Sequence, residues 1–373
     1  MKVSFVIPYT PIPRINKRIE VAEKIFKVDL LYWDRGDSKK TAIKDYSPET
    51  KITAHSINLD KGSIFHRLVK SLSFSRLALK HLKKEKPEII YTTKTDMLFL
   101  VYIYCLFTKI KPKVIYEVSD LHKYALNDSK KITSTILRKL IYCLEKISFK
   151  SVDKLVVTSP FFWDYYYKSL ISQNHVVFLP NSPNEKIFKD YHAVRSEKFT
   201  IGFIGKIRYK KQLKMLIEVS NRVNIDVFIA GNGPDYEELK TFSKDRNNIT
   251  FFGPYKYNSD IAKLYSKCDA IYSVYDTDIE NVKIALPNRL YEAALCGIPL
   301  IVSRNTYLES VIIENGLGMA VNPYNPNQLE ETILKLKNKQ VLNSIKENGM
   351  LFYKKNSNSI AEKKLLNTFK KLI

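Results

Sequence analysis

One carboxylate near the start of a short predicted helix is the residue best placed to bind a ligand. Residues 286–303 read LPNRLYEAALCGIPLIVS, which predicts a helix that ends at Gly297 and leads into a buried strand. A carboxylate accepts two hydrogen bonds at once, so Glu292 could bind both hydroxyls of a ribose. Free backbone N–H groups at the helix start, after Pro287, favour a phosphate. The pattern fits a nucleotide, and the alternative is that Glu292 is an ordinary solvated helix residue.

A second group of candidates lies in a basic turn. The predicted strand FTIGFIG at 199–205 runs into a helix through Lys206, Arg208, Lys210 and Lys211. Helix N-terminal amides with one or two cations neutralise a pyrophosphate, so this turn favours phosphate, although four basic residues could also be surface decoration. After the next predicted strand, Gly231 and Gly233 would let the backbone approach a ligand closely.

Eleven short apolar runs set the framework that positions these residues. They are continuous and not alternating, and helical stretches separate them, a pattern typical of parallel strands covered on both faces. The runs are residues 2–9, 28–33, 88–93, 113–118, 154–159, 175–180, 199–205, 225–231, 249–253, 269–275 and 299–303.

The rhythm of these runs predicts an α/β protein with two doubly wound, Rossmann-like domains facing each other. We expect an N-terminal domain at 1–180, a polar linker at 181–198, a second domain at 199–350, and a C-terminal helix at 351–373 that packs back on the first domain. Ligands of open α/β sheets bind beyond the carboxyl ends of the strands, so the site is expected in a cleft between the domains.

The composition narrows the classes of protein. The chain has 373 residues and a formal net charge of +23, and residues 1–200 hold 36 Lys and Arg against 20 Asp and Glu. Such a charge attracts nucleic acid, an anionic membrane or a phosphorylated substrate, although a bias in codon usage could contribute. The four cysteines stand singly, which argues against a zinc site or a disulfide framework and fits a reducing cytoplasm. The apolar segment 97–107 is too short for a membrane span and predicts a buried helix.

The helix expected at 64–86 is basic and amphipathic. Its apolar stripe, with Phe65, Leu68, Leu72, Leu79 and Leu82, is expected to cover the sheet. Its basic face, with Lys80, Lys83 and Lys84 among others, suits either an anionic lipid surface or plain solvent.

The order of motifs in residues 199–325 resembles the nucleotide-binding half of GT-B glycosyltransferases, specifically the retaining family 4. In that family a glycine is followed by Arg and, five residues later, Lys, which both bind the donor diphosphate. Gly205 is here followed by Lys206 and Lys211, so Lys206 stands at the Arg position and Arg208 could share its role. The resemblance assigns the ribose to Glu292. Gly231, Gly233 and Pro254 join the expected donor contacts.

The family's paired glutamates are broken in this chain. The first would fall at Ile284, and the chain resembles instead a subgroup with PNK-x-x-E, in which Asn288 and Arg289 would replace the missing contacts. In the first domain the family's glycine-rich loop is replaced by PYTPIPRINKR, where Arg14 and Asn16 are the expected acceptor contacts. The segment at 116–124 matches the place of an active-site His or His-Asp, which makes Asp120 and His122 candidates near the sugar.

The resemblance implies a retaining transferase that moves a sugar onto a glycan or a polyprenyl-diphosphate-linked glycan in bacterial capsule or lipopolysaccharide assembly, and the donor is expected to be UDP-linked. We expect no cofactor and no metal, because cations and helix dipoles already serve the diphosphate, so the Asp276-Thr277-Asp278 motif is not interpreted as a metal site. Placement at the cytoplasmic face of the membrane is expected. The alternatives are a sugar-nucleotide 2-epimerase on the same fold, or a nucleic-acid-binding protein, for which no recognition signature is present.

Overall fold

The protein divides into two compact units. A computed structural model describes residues 1–35, 46–57, 64–121, 132–194 and 196–373, with the side chains of 64–68 and 132–138 outside the description. The first unit comprises Met1–Leu179 and Ala361–Ile373, and the second comprises Pro180–Ile360.

The first unit is built on a seven-stranded parallel sheet in the order β3-β2-β1-β4-β5-β6-β7. Its strands are β1 (Lys2–Ile7), β2 (Lys27–Asp34), β3 (Lys51–Ser56), β4 (Ile89–Thr93), β5 (Lys113–Val118), β6 (Lys154–Val157) and β7 (Val176–Phe178). Its helices are α1 (Pro13–Glu23), α2 (Ile64–Glu85), α3 (Thr95–Phe107) and α4 (Ile132–Ser148), with short helical turns at Phe149–Ser151, Trp163–Tyr167 and Gln173–His175.

The second unit is built on a six-stranded parallel sheet in the order β10-β9-β8-β11-β12-β13. Its strands are β8 (Thr200–Ile204), β9 (Asp226–Ala230), β10 (Ile249–Gly253), β11 (Ala270–Ser273), β12 (Leu300–Ser303) and β13 (Gly318–Val321). Its helices are α5 (Lys210–Arg222), α6 (Tyr236–Phe242), α7 (Tyr257–Ser266), α8 (Glu280–Ile284), α9 (Asn288–Cys296), α10 (Tyr307–Glu314), α11 (Pro326–Leu336) and α12 (Lys339–Asn356), preceded by a turn at Glu185–Phe188.

The last helix, α13 (Asn358–Lys370), crosses from one unit to the other along the chain. Leu365 and Phe369 are fully buried in the core of the first unit, where the Phe369 ring lies edge-on to Phe26 at 5.4 Å between ring centres. The residues from Ala361 onward therefore belong structurally to the first unit.

The two parallel sheets confirm the predicted α/β, doubly wound fold. The continuous apolar runs form the buried strands, as expected for parallel sheets covered by helices on both faces. Two edge strands, β3 and β13, were not predicted from the sequence. The side chains of β3 are largely exposed, so this strand lacks the apolar run that marked the others.

The predicted apolar stripe of α2 is wrong in part. Leu72 is 63% exposed, and the residues of this helix that are fully buried are Phe74, Ala78 and Leu82. These three are spaced four apart and so share one face of the helix, whereas Leu72 lies two positions before Phe74 and faces away. Among the described residues, no helix combines the length and the apolar character required to span a membrane.

Candidate functional site

The loops that follow β8, β9 and β10 are hydrogen-bonded side by side at the carboxyl edge of the second sheet. Gly205 N–H donates to the Ala230 carbonyl at 2.8 Å, and Gly231 N–H donates to the Gly253 carbonyl at 2.8 Å. The basic turn is thus attached to the glycine loop, and the glycine loop to the end of β10. This edge is where ligands of open α/β sheets bind.

The glycines of the AGNGP segment make room for a neighbouring loop. Gly231 has φ +136°, and a Cβ on it would lie 1.8 Å from the Gly205 carbonyl oxygen. A Cβ on Gly233 would lie 2.0 Å from the Ile207 carbonyl oxygen. The sequence-based explanation, that these glycines leave space for a ligand, is corrected: the space is filled by the backbone that follows β8. Donor contacts by Gly231 and Gly233 remain a prediction.

Arg289 is fixed at the ends of two neighbouring strands. Its Nε donates to the Ile204 carbonyl, its Nη1 donates to the Tyr275 hydroxyl at 2.7 Å, and its guanidinium carbon lies 4.2 Å from the centre of the Phe203 ring. A Cβ on Gly205 would lie 2.3 Å from Nη2, so the glycine leaves space for this side chain. The guanidinium is therefore held in one place at the carboxyl edge, as a preorganised anion site requires.

A pair of tyrosine rings connects Arg289 to the basic turn. The rings of Tyr209 and Tyr275 lie 4.7 Å apart, and the Arg208 guanidinium carbon lies 5.1 Å from the centre of the Tyr209 ring. Because Tyr275 also accepts from Arg289, both predicted arginines belong to one cluster.

The four basic residues of the turn differ in what they contact. Lys210 forms an ion pair with Glu238 at 2.7 Å, so its charge is compensated by the protein. Lys206, Arg208 and Lys211 are exposed. Within the part of the chain that the structure describes, neither Lys206 nor Lys211 forms an ion pair. These two lysines, together with the exposed Arg208, are accordingly available to an anionic ligand.

Glu292 is buried, so the alternative that it is an ordinary solvated helix residue is wrong. The residue is 3% exposed, and its two oxygens accept hydrogen bonds from the hydroxyls of Tyr257 at 2.7 Å and of Tyr265 at 2.8 Å. Burial, followed by the Glu292 carboxylate, raises the pKa of the Tyr265 hydroxyl well above its ordinary value. The carboxylate has two donors in the protein, and its role as a ribose ligand remains a prediction.

The remaining donor-side candidates lie around α9. Asn288 is exposed, and its Oδ1 accepts from Asn181 Nδ2 at 2.6 Å. Pro254 is exposed directly after β10. Ile284, at the position where the resembling family has its first glutamate, is 2% exposed. The donor contacts of Asn288 and Pro254 remain predictions.

In the first unit, the expected acceptor residues are buried. Arg14 Nε lies 3.1 Å from Glu117 Oε1, and Arg18 Nε lies 3.4 Å from Glu117 Oε2. Burial alone would raise the pKa of the Glu117 carboxyl, but the two arginines outweigh it and hold that pKa below its ordinary value. Asn16 accepts from the Tyr46 hydroxyl at 2.6 Å. Acceptor contacts by Arg14 and Asn16 remain predictions.

The candidates after β5 are described only in part. Asp120 is exposed two residues beyond the end of the strand, and its Oδ2 accepts from the Ser119 hydroxyl at 3.3 Å. His122 lies outside the described residues.

The Asp-x-Asp motif contacts a tyrosine. Asp276 Oδ1 accepts from the Tyr324 hydroxyl at 2.6 Å and from the Asp278 backbone N–H at 2.9 Å. No group of three His, Cys, Asp or Glu side chains suited to a metal occurs in the described ranges. Metal independence of the reaction remains a prediction.

Comparison with known families identifies the second unit. The family described as glycosyl transferases group 1 matches residues 183–352, which lie within that unit. The second unit therefore contains a glycosyl transferases group 1 domain, and the chain has the GT-B fold.

Two curated relatives of this glycosyltransferase have similar assignments. An uncharacterized glycosyltransferase of Methanocaldococcus jannaschii is 24% identical over 54% of this chain, and the match spans about half, 55%, of that relative. The capsular polysaccharide biosynthesis glycosyltransferase CapM of Staphylococcus aureus is 24% identical over 82% of this chain and 81% of its own length.

Solved structures support the fold of the glycosyltransferase over its whole length. A sucrose-phosphate synthase from Thermosynechococcus elongatus superimposes with a TM-score of 0.78 at 16% identity, covering 100% of this chain and 99% of that one. Anabaena HepE in complex with UDP superimposes with a TM-score of 0.73 at 11% identity, covering 100% of both. A UDP-N-acetylglucosamine 2-epimerase gives 0.60 at 13% identity over 93% of this chain and 90% of that one. At these identities the likeness concerns the fold alone.

Several site residues of the glycosyltransferase were missed by sequence reasoning. Tyr257 and Tyr265 bond Glu292, Tyr275 orients Arg289, and Glu117 pairs with Arg14. Glu117 is the only one with a local signal, because an acidic residue inside an apolar strand run has to find a partner. The tyrosines contact residues 14 to 35 positions away, and single tyrosines carry no signal of that kind.

Proposed function

We propose that this glycosyltransferase moves a sugar from a UDP-linked donor to a hydroxyl of a glycan or lipid-linked glycan, with retention at the anomeric carbon, in surface polysaccharide biosynthesis. The observation that carries the proposal is the basic edge of the second sheet, where exposed Lys206 and Lys211 form no ion pair with any described residue and the guanidinium of Arg289 is fixed at the end of β8. The capsular relative and the UDP complex of a structure with the same fold support the choice of pathway and donor.

The chemistry follows from the leaving group. When the sugar–phosphate bond breaks, negative charge develops on the nucleoside diphosphate, and fixed cations that meet this charge lower the barrier. The first amide of α5 is already occupied, because Lys210 N–H donates to the Asp235 carboxylate at 3.1 Å. The side chains of Lys206, Arg208 and Lys211 therefore contribute more to neutralising the diphosphate than the start of the helix does.

A nucleotide panel tests the donor assignment. Thermal unfolding of the full chain is followed with UDP, UDP-glucose, GDP and ADP, because a ligand at 100 times its Kd stabilises the folded state by about 2.7 kcal/mol. We expect stabilisation by the uridine nucleotides and its loss in Lys211→Ala, while Lys240→Ala, which removes an exposed lysine outside the site, behaves as the wild type. A panel without any stabilising nucleotide contradicts the proposal.

The epimerase alternative is separated by products. A 2-epimerase converts one UDP-sugar into another without transferring the sugar to an acceptor, whereas a transferase releases one UDP for each sugar that the acceptor receives. Chromatography of the nucleotides after incubation with UDP-sugars and an acceptor glycan distinguishes the two.

A lipid-linked acceptor is supported by one face of the first unit, which we call the three-helix face and define by α2, α3 and α4. Helix α3 packs between α2 and α4. Leu106, Phe107 and Ile110, at the end of α3 and just beyond it, are 56%, 78% and 74% exposed. Exposed basic side chains accompany them, namely Arg76, Lys80, Lys83, Lys84, Lys109, Lys111, Lys139, Lys146 and Lys150.

Exposed apolar side chains among cations suit the interface of an anionic membrane, in which the apolar groups enter the acyl boundary and each cation contributes about 1 kcal/mol. We expect the triple reversal of Lys80, Lys83 and Lys84 to Glu to release the protein from anionic liposomes at moderate salt. The matched control reverses Lys240, Lys244 and Lys335, which are exposed on the second unit. Equal co-sedimentation of both triple variants with the wild type rules out this surface.

A further inference from the structure

Lys94 has the most unusual backbone conformation of the described non-glycine residues. It stands between the end of β4 and the start of α3, with φ +71° and ψ 143°. The other positive-φ residues that are not glycine are Lys86, Asn224 and Asn305, at +45°, +49° and +59°. Positive φ with an extended ψ is a region that glycine alone adopts readily, and such strain persists where the surrounding structure enforces it, typically at functional sites. Nothing in the assignments above accounts for a lysine here.

The strained lysine lies at the carboxyl edge of the first sheet, next to the loop that follows β1. Strand β4 pairs with both β1 and β5, so the three strand ends are neighbours. Thr93, directly before Lys94, donates its hydroxyl proton to the Tyr9 hydroxyl at 3.1 Å. Burial lowers the pKa of the Lys94 ammonium, with Asp120 opposing and Arg14 adding to the effect. Lys94 therefore follows a strand end that is hydrogen-bonded to the loop from which α1 and Arg14 begin.

This edge retains positive charge and unused hydrogen-bonding groups. Arg14 and Arg18 share the single carboxylate of Glu117. Arg14 Nε, on a residue 8% exposed, lies near that carboxylate but is not aligned to donate a hydrogen bond. Thr10 Oγ1, on a residue 5% exposed, has no hydrogen-bond partner among the residues that the structure describes. Buried polar groups without partners are rare in folded proteins and call for an explanation. A bound oxyanion supplies one, because it accepts from hydroxyl and guanidinium alike.

We propose that Lys94, together with Arg14 and Thr10, binds an oxyanion carried by the acceptor, with the diphosphate of a prenyl-linked glycan as the ligand of this class that best matches the paired cations. Only one part of this inference rests on the proposed function, namely that the ligand is the acceptor of the sugar. The family domain lies at residues 183–352, and we assign the basic edge of that unit to the donor diphosphate. We assign the anion site on the first unit to a second ligand, the acceptor.

The test uses the full chain saturated with UDP, so that the donor site is blocked, and titrates geranyl diphosphate or glucuronate by calorimetry. The two probes separate a lipid diphosphate from the carboxylate of an acidic sugar. We expect Lys94→Met to weaken binding of geranyl diphosphate by about tenfold or more and Lys94→Arg to retain most of it, because each charge-assisted hydrogen bond is strong. UDP binding should stay unchanged in both variants.

A glycine variant separates the side chain from the backbone strain. Lys94→Gly should lose the oxyanion as Lys94→Met does and yet unfold at a higher temperature than Lys94→Met, because glycine accepts φ +71° without strain. Asn224→Gly, which also introduces a glycine at a positive-φ position, should leave the affinity for geranyl diphosphate unchanged. If only the affinity for glucuronate depends on Lys94, the oxyanion is a sugar carboxylate and the site stands.

The proposal is overturned if Lys94→Met binds both probes with the affinity of the wild type. It is also overturned if the wild type binds neither probe. If the wild type fails to bind UDP, the proposed function fails instead, so the two failures are distinguishable.

Discussion

Replacement of Glu292 by Ala tests the buried carboxylate at the centre of the donor hypothesis. The change removes an acceptor from two tyrosine hydroxyls, at 2.7 Å and 2.8 Å, and one of these belongs to Tyr265, which is fully buried. A hydrogen bond to a charged group contributes about 1.5–3 kcal/mol, so the loss of both predicts a decrease of about 3–6 kcal/mol in the free energy of unfolding. Water reaching Tyr257, which is only partly buried, moves the result toward the lower end.

Urea unfolding of the full chain, followed by far-UV circular dichroism, measures the change in the free energy of unfolding. Glu292→Gln keeps the shape and one acceptor oxygen, so we expect a smaller loss. Glu347→Ala removes an exposed carboxylate from α12 and should change stability by no more than about 0.5 kcal/mol. Unfolding of Glu292→Ala at the wild-type urea concentration would refute the reasoning, because it would mean that the two tyrosine contacts contribute nothing.

The same variants decide whether the carboxylate also serves the ribose. A carboxylate has about four acceptor positions, so Glu292 can accept from two ribose hydroxyls beside its tyrosine donors, and Tyr257→Phe, which vacates one position, should bind UDP at least as tightly as the wild type does. The 2′-deoxy analogue of UDP should bind more weakly than UDP to the wild type and equally to Glu292→Ala, measured by calorimetry below the unfolding temperature. If the wild type does not discriminate between the two nucleotides, Glu292 has a structural role alone.

Two further predictions concern turnover and acid stability. Lys211→Ala should lower turnover strongly while EDTA leaves the wild type active; loss of wild-type activity in EDTA and its recovery with Mn²⁺ would show a metal requirement. Hydrogen bonds from Lys2 and Lys51 lower the pKa of Glu85 from 4.5 to about 2, so its stabilising effect is complete above pH 4.5 and is lost as the pH falls toward 2. The stability difference between wild type and Glu85→Gln should therefore be constant from pH 7 to 5 and shrink below pH 4.5, and a difference that grows in acid would contradict this assignment.

The fold could be predicted because its signal is local. A strand buried on both faces has to be apolar along its length, so each such strand can be recognised from four to eight consecutive apolar residues. An edge strand does not have to contain such a run. Strand β3 reads KITAHS with mostly exposed side chains, and β13 reads GMAV with a glycine at its start, so neither carries the continuous apolar run.

The helix faces were harder to assign than the strands. In α2 the apolar residues lie on more than one face of the helix, and the sequence alone does not determine which face packs against the sheet. The structure buries Phe74, Ala78 and Leu82 and leaves Leu72 exposed. The exposed Leu72 therefore adds to the apolar surface of the three-helix face, for which we propose contact with a membrane.

The candidate site shows a different limit of prediction. The sequence gives the position of each charged residue, but it does not show which of these charges are paired within the protein and which are available to a ligand. The basic turn contains four cations within six positions, yet Glu238 pairs with Lys210 from 28 residues away and with Lys214 from 24 residues away, and so leaves Lys206 and Lys211 to meet an anion. Arg289 gains its fixed position in the same way, from a carbonyl 85 residues earlier in the chain. The residues that are able to bind a ligand can be named from the sequence. The long-range partner of each one determines whether its side chain stabilises the fold or binds the substrate.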